Sequence, residues 1–305
     1  MLAAGEYERV AEQATDPELG REALLAAGDL YEQAADTDSA LGVYLRYVEA
    51  FPEPVEQALE ARFKIAGFYK DNGDGVNYRE QLQAIVAADG AAGAERTDRT
   101  KYLAGQSALV LAQDLYDQFT AVKLVQPFKQ SLATKQKRMD AAMHAFEGLV
   151  DYEVADVTAA ATFYMAEIYY GFSKALLDSE RPGGLDAAAA ADYEDALQEQ
   201  AYPFEEQAIG LFEKNVELMR AAGVYDDWIK QSLAKLADLV PGRYAKTEIS
   251  SGFIASIELY SYRSPSTPDP SVVADGAEQS AEPTSSDDQR IEQADAAGGD
   301  HVIHR

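Results

Sequence analysis

LLAAGDLYEQAADTDSALGVYLRYVEAFP, residues 24–52, sets small residues and aromatics at regular intervals: Ala27 and Gly28, then Tyr31, then Ala40, Tyr44 and Tyr47, and finally Pro52. A lone amphipathic helix needs no such order, since any apolar residues at helical spacing build its stripe. Two helices packed closely do need it: small side chains belong where the axes come nearest, and rings fill the space beside them. Asp16, Pro17 and Glu18 mark the start of the first helix, as a capping oxygen, a ring at the first helical position and a negative charge near the dipole. That helix carries Leu24, Ala27, Gly28 and Tyr31 and stops near Asp36, and Asp38 or Ser39 caps the next, which ends before Pro52. The stretch predicts an antiparallel helix hairpin.

The spacing L-x2-A-G-x2-Y, then A-x3-Y, then P, matches the tetratricopeptide (TPR) pattern with its Trp and Phe replaced. A second, degraded copy follows. Val55, Leu59, Phe63, Ala66 and Tyr69 share a helical face, and Ala66 and Tyr69 take the places of Gly28 and Tyr31, a shift of 38 residues. After the turn DNGDG, Tyr78, Leu82 and Ile85 correspond to Ala40, Tyr44 and Tyr47. DNGDG lacks the ligand spacing and closing Glu of a calcium loop and reads as a turn. Later helical faces are marked by Ala104, Ala108, Leu111, Leu115, Phe119 and Val122, and by Met139, Ala142, Phe146 and Leu149. Two more follow, Ile209, Phe212, Val216 and Met219, then Ile229, Leu233, Leu236 and Val240. Residues 158–177 are apolar around most of a helix's circumference, as expected of one flanked on both sides. Pro182-Gly183-Gly184 and Pro241-Gly242 mark breaks.

The predicted fold is all-α: a right-handed α-solenoid of roughly ten helices in antiparallel TPR-like hairpins over residues 1–262, then an acidic disordered tail over 263–305. From Ser264 the tail holds four prolines, nine acidic and two basic residues, too little apolar surface to offset its ordering entropy. His301 and His304 form an H-x-x-H within it that reads as incidental, since no carboxylate-rich helix frames it. The N-terminal MLAAGEYERV has neither the charged region nor the apolar run of a signal peptide and reads as a helix interior, as in a piece of a longer chain.

Composition narrows the function. With 53 acidic against 26 basic residues the net charge is -27, which opposes nucleic acid and anionic lipid alike. There is no cysteine, so disulfides, thiol nucleophiles and Cys-ligated zinc are excluded. The most apolar stretch is broken by Glu167 and Lys174, so no membrane-spanning segment is predicted. No Walker loop, G-x-G-x-x-G, G-x-S-x-G or H-E-x-x-H occurs. The pairs Glu205-Glu206 and Asp226-Asp227 read as solvated helix starts, which the dipole favours without any catalytic role. The expectation is a protein that is not an enzyme, with no cofactor and no metal. The rival reading is an enzyme using a pocket around Tyr164, Glu167 and Tyr170, and a third is a structural spacer.

Binding is the natural use of stacked hairpins, through the face formed by the first helix of each pair. The positions predicted to face that groove are Glu22, Leu25, Asp29 and Glu32 in the first unit and Glu60, Phe63 and Lys70 in the second. The groove is mainly acidic over an apolar floor and lacks a Lys and Asn array for gripping a terminal carboxylate, so a basic or amphipathic protein or peptide is the expected partner. One segment departs from the acidic trend. Residues 122–139, VKLVQPFKQSLATKQKRM, carry Lys123, Lys129, Lys135, Lys137 and Arg138 with no acid among them, suited to an internal acidic neighbour or to docking.

LVQPFKQSLATKQKRM, YEVADVTAAATFYMAEIYYGFSKALLDSERP, EEQAYPFEEQAIGLFEKN and GVYDDWIKQSLAKLADLVPGRY together resemble a family of bacterial cell-envelope TPR proteins. These are of the kind associated with ExbB/ExbD- or TolQ/TolR-like energy-transducing motors and gliding-type machinery. The resemblance spans residues 5–262 and implies a scaffold in the periplasm or at the outer membrane.

Overall fold

The computed structural model describes residues 2–223 and 226–246, and the predicted tail, its His301 and His304, and the side chain of Met219 lie outside the described residues. Among the described residues the chain is all-helical, with no strand. Its α-helices are α1 (Leu2–Gln13), α2 (Pro17–Gln33), α3 (Thr37–Ala50), α4 (Val55–Asp71), α5 (Gly75–Ala91), α6 (Asp98–Thr120), α7 (Phe128–Glu147), α8 (Ala155–Leu177), α9 (Ala187–Ala222), α10 (Asp227–Leu239) and the short α11 (Pro241–Tyr244). Each helix through α10 packs on the next in sequence, and α4 also touches α6, α6 touches α8 and α8 touches α10.

The signals that start these helices are side-chain caps. Asp16 accepts from the Glu18 amide, Asp74 from Asn77, and Asp226 from Ile229, while Thr97 and Thr100 form a reciprocal capping box. At α3 the cap is Asp36, accepting from the Ser39 amide, and not Asp38 or Ser39 as the sequence suggested. Ala35 adopts a left-handed φ of 56°, which turns the chain so sharply that the helix begins two or three residues sooner. DNGDG is a turn in which Gly73 takes φ 73° between α4 and α5.

A second expectation is corrected at Glu205 and Glu206, which lie in the interior of α9 because that helix continues through Pro203. Proline removes one helical donor. Here packing on α8 prevails: Ala201 is buried, and the Phe204 ring lies 4.6 Å from that of Phe172.

The hairpin of residues 24–52 forms as its spacing predicts. Ala27, Gly28, Ala40, Tyr44 and Tyr47 are all buried, and a Cβ at Gly28 would fall 2.7 Å from Cε1 of Tyr44, closer than van der Waals contact permits. The equivalent Ala66 and Leu82 are buried between α4 and α5. The apolar core continues through clusters centred on Leu59, Ile85 and Leu103, on Phe119, Phe146 and Phe172, and on Phe163, Phe212 and Leu236. Two polar knots interrupt it. Asp89 is buried and accepts from the Thr100 hydroxyl at 2.7 Å and from Arg96 Nε at 2.9 Å, joining α5 to α6. Asn215 donates to the Ala159 carbonyl and the Ser232 hydroxyl, both at 3.0 Å, joining α9 to α8 and α10.

Candidate functional site

The predicted groove residues lie on α2 and α4, and the fold uses several of them internally. Lys64, on α4, donates to Asp29 Oδ1 at 2.7 Å, to Glu32 Oε2 at 2.8 Å and to the Tyr44 hydroxyl at 2.9 Å. The Tyr44 hydroxyl in turn donates to Asp29 at 2.6 Å. One ammonium therefore bridges the two carboxylates of α2, offsetting one of their two charges, and ties three helices together.

Burial pushes the Tyr44 phenol up, and its hydrogen bond to Asp29 adds to that, so it stays protonated. Burial alone would raise Asp29, but the bonds from Lys64 and Tyr44 outweigh it and hold the carboxyl below its ordinary value. For Lys64, burial works downward and is outweighed by its three acceptors, so the ammonium is held charged.

Glu60 is likewise engaged, accepting two hydrogen bonds from Arg99 of α6, and Glu56 accepts from the Thr97 hydroxyl at 2.6 Å. Leu25 is half-buried against the first apolar cluster. Glu22 is exposed and has no ion pair among the described residues. Sequence reasoning overlooked Lys64, which sits 35 positions from Asp29, and Arg99, 39 positions from Glu60. No local signal joins residues so far apart; only the register of one helix on another does.

Phe63 and Lys70 come together on one feature. They line a cavity of about 280 Å³ whose other walls include Ala66, Gly67, Tyr78 and Leu82, with Gln106 and Val110 from α6. Its origin is legible in the two copies of the hairpin. In the first, Tyr44 fills the crossing so fully that only Gly28 fits beneath it. In the second, Leu82 stands in place of Tyr44 and Ala66 in place of Gly28, and the smaller side chain leaves the space unfilled. Phe63 remains 38% exposed beside it, an aromatic ring at the edge of an apolar recess with the Lys70 ammonium nearby. That arrangement can take an apolar side chain from outside and pair a neighbouring carboxylate or carbonyl.

Tyr164, Glu167 and Tyr170, the centre of the enzymatic reading, are placed differently. The Tyr164 ring is stacked on Phe146 at 4.9 Å and meets Tyr116 at 5.1 Å and Trp228 at 5.3 Å, within a packed aromatic cluster. Glu167 is in an ion pair with Lys235 at 2.7 Å, and Lys235 lies 5.4 Å from the centre of the Tyr170 ring. Among the described residues no cluster of His, Asp or Glu has the arrangement of a metal site, and no helix is long and apolar enough to cross a membrane. Comparison with protein-family models, with curated proteins and with solved structures returns no match.

Proposed function

We infer that the protein is a non-enzymatic scaffold that binds a protein or peptide partner, and that its helices form a right-handed TPR-like solenoid serving a bacterial cell-envelope complex. The observation that carries this reading is Phe63, exposed at a recess bounded by α4, α5 and α6. Exposed aromatic anchors beside apolar recesses are typical of interface hot spots. The recurring contacts of α4 with α6, α6 with α8 and α8 with α10 support a solenoid, because stacked hairpins bring every second helix together. The envelope assignment rests on the sequence resemblance.

The partner that suits this face is amphipathic, with an apolar side chain for the recess and a basic flank for the exposed Glu22 and the paired carboxylates of Asp29, Glu32 and Glu60. Asp29, Glu32 and Glu60 act chiefly as staples between helices and present only a screened charge outward.

Site-specific photo-crosslinking in the native cell tests the reading. A benzoylphenylalanine at position 63 is expected to trap one discrete partner, while the same group at Val76, which is 68% exposed on α5, traps none. Equal trapping at both positions, or none at 63, contradicts it.

A further inference from the structure

The second cavity of interest is built around Lys135. This residue belongs to the acid-free stretch 122–139, yet its side chain is buried, with 3% of the residue exposed. Its Nζ donates to the main-chain carbonyls of Phe119 and Val122, both at 3.0 Å, and lies 4.1 Å from the centre of the Phe119 ring. Those bonds satisfy carbonyls at the C-terminus of α6, where a cation is favoured. An ammonium has three N–H donors, and only two have acceptors among the described residues. No carboxylate pairs with it, which is unusual for a buried charge.

Lys135 lines a cavity of about 590 Å³ between the end of α6, the loop leading to α7, and α8, within the range of about 300–1,000 Å³ usual for small-molecule sites. Phe119, Leu124, Val125 and Ala175 give it apolar walls. Lys123 and Lys174 add two more cations against Asp178 and Glu180. Glu180 is committed elsewhere: its Oε2 accepts from the Gln126 amide at 2.8 Å, and its own amide donates to the Leu124 carbonyl at 2.9 Å. Among the described residues, no ion pair involves Lys123, Lys129, Lys137, Arg138 or Lys174, whereas most other cations of this acidic chain are paired. Three lysines thus outnumber two carboxylates around the cavity, on a molecule that is strongly negative.

We propose that this cavity binds a small amphiphilic carboxylate, its anionic head at the ammonium of Lys135, which has no carboxylate partner, and its aliphatic body against Phe119, Leu124, Val125 and Ala175. The head would supply the missing counter-charge. Burial holds the affinity of Lys135 for its proton below that of an ordinary lysine, and a bound carboxylate would raise it again.

Calorimetric titration of the full chain tests this with three probes of one chain length: decanoate, decan-1-ol and decyltrimethylammonium, each below its aggregation limit. Decanoate is expected to bind one per chain and at least tenfold more tightly than the other two. Lys135→Met should bring decanoate down to the level of decanol. Because losing the α6 cap could unfold that variant, Ala175→Phe, which fills the cavity and leaves Lys135 in place, should weaken decanoate and decanol alike. Equal affinity for the three probes overturns the proposal, as does decanoate binding unchanged in Ala175→Phe, or no decanoate binding at all.

Discussion

The ring of Tyr44 lies over Gly28 so closely that the α2–α3 crossing has no room for even one more carbon: an added Cβ would meet Cε1 at 2.7 Å and Cζ at 2.8 Å. The same ring carries its hydroxyl to Asp29 and Lys64, so one tyrosine both fills the crossing and anchors the polar link to α4. Packing and electrostatics are coupled at this point.

Replacing Lys64 with Met leaves Asp29 and Glu32 without their shared cation. The pairs are partly exposed, so the expected loss is about 1 kcal/mol at neutral pH, at the upper end for such pairs. The pH dependence has a defined sign. Asp29 is held below its ordinary value, so its contribution is complete above the unfolded aspartate value of about 3.9 and fades as pH falls through the folded one. Lys64 is held above its ordinary value, so its contribution is complete below about 10.4 and fades as pH rises beyond. Urea unfolding of both proteins across pH should therefore show a constant gap between about pH 4 and pH 10 that narrows on either side. A gap independent of pH down to strong acid contradicts the linkage.

Asp89 is a buried carboxylate whose partners come from two sides. Asp89→Ala removes the acceptor of both Thr100 and Arg96, and the expected destabilisation is about 3 kcal/mol, since a buried hydroxyl and a guanidinium lose their partner together. Arg96→Ala should cost as much or nearly so, because it leaves the buried carboxylate unpaired, while the double variant should fall well short of the sum. Chemical unfolding checks all three, and additive losses would show that the groups act separately.

The recess beside Phe63 can be closed from within. Leu82→Phe restores a ring where the first hairpin has Tyr44, and filling a cavity of this kind is expected to raise stability by about 0.5–1 kcal/mol. The same substitution should abolish the crosslink from position 63. A more stable protein that still crosslinks would separate the recess from partner binding.

How far the fold can be read from the sequence differs between features. Gly28, Ala40 and Tyr44 announce their hairpin because a close helix crossing demands small residues at fixed spacing, and that demand is local. Pro203 misleads for the opposite reason: its local preference is to start a helix, yet burial of Ala201 and Phe204 against α8 carries α9 through it. Glu60 and Asp29 read as free groove charges because their cations lie on other helices. Lys135 reads as one lysine among several in a basic run suited to an acidic neighbour or to docking, and only the packing of α7 on the end of α6 brings the two carbonyls it satisfies. The recess lined by Phe63 and Lys70 is intermediate. Periodicity puts both residues on one face, whereas the cavity beneath follows from Leu82 being smaller than Tyr44.

The most direct test of the account is a pair of glycine substitutions followed by equilibrium unfolding. Gly42, on α3, has nothing within 4 Å of an added Cβ, so Gly42→Ala should raise stability by about 0.5–1 kcal/mol through helix propensity alone. Gly28→Ala gains the same propensity but drives a carbon into the Tyr44 ring, and overpacking of about 1–3 kcal/mol should leave it less stable than the parent. If Gly28→Ala is as stabilising as Gly42→Ala, the two helices do not cross where the account places them.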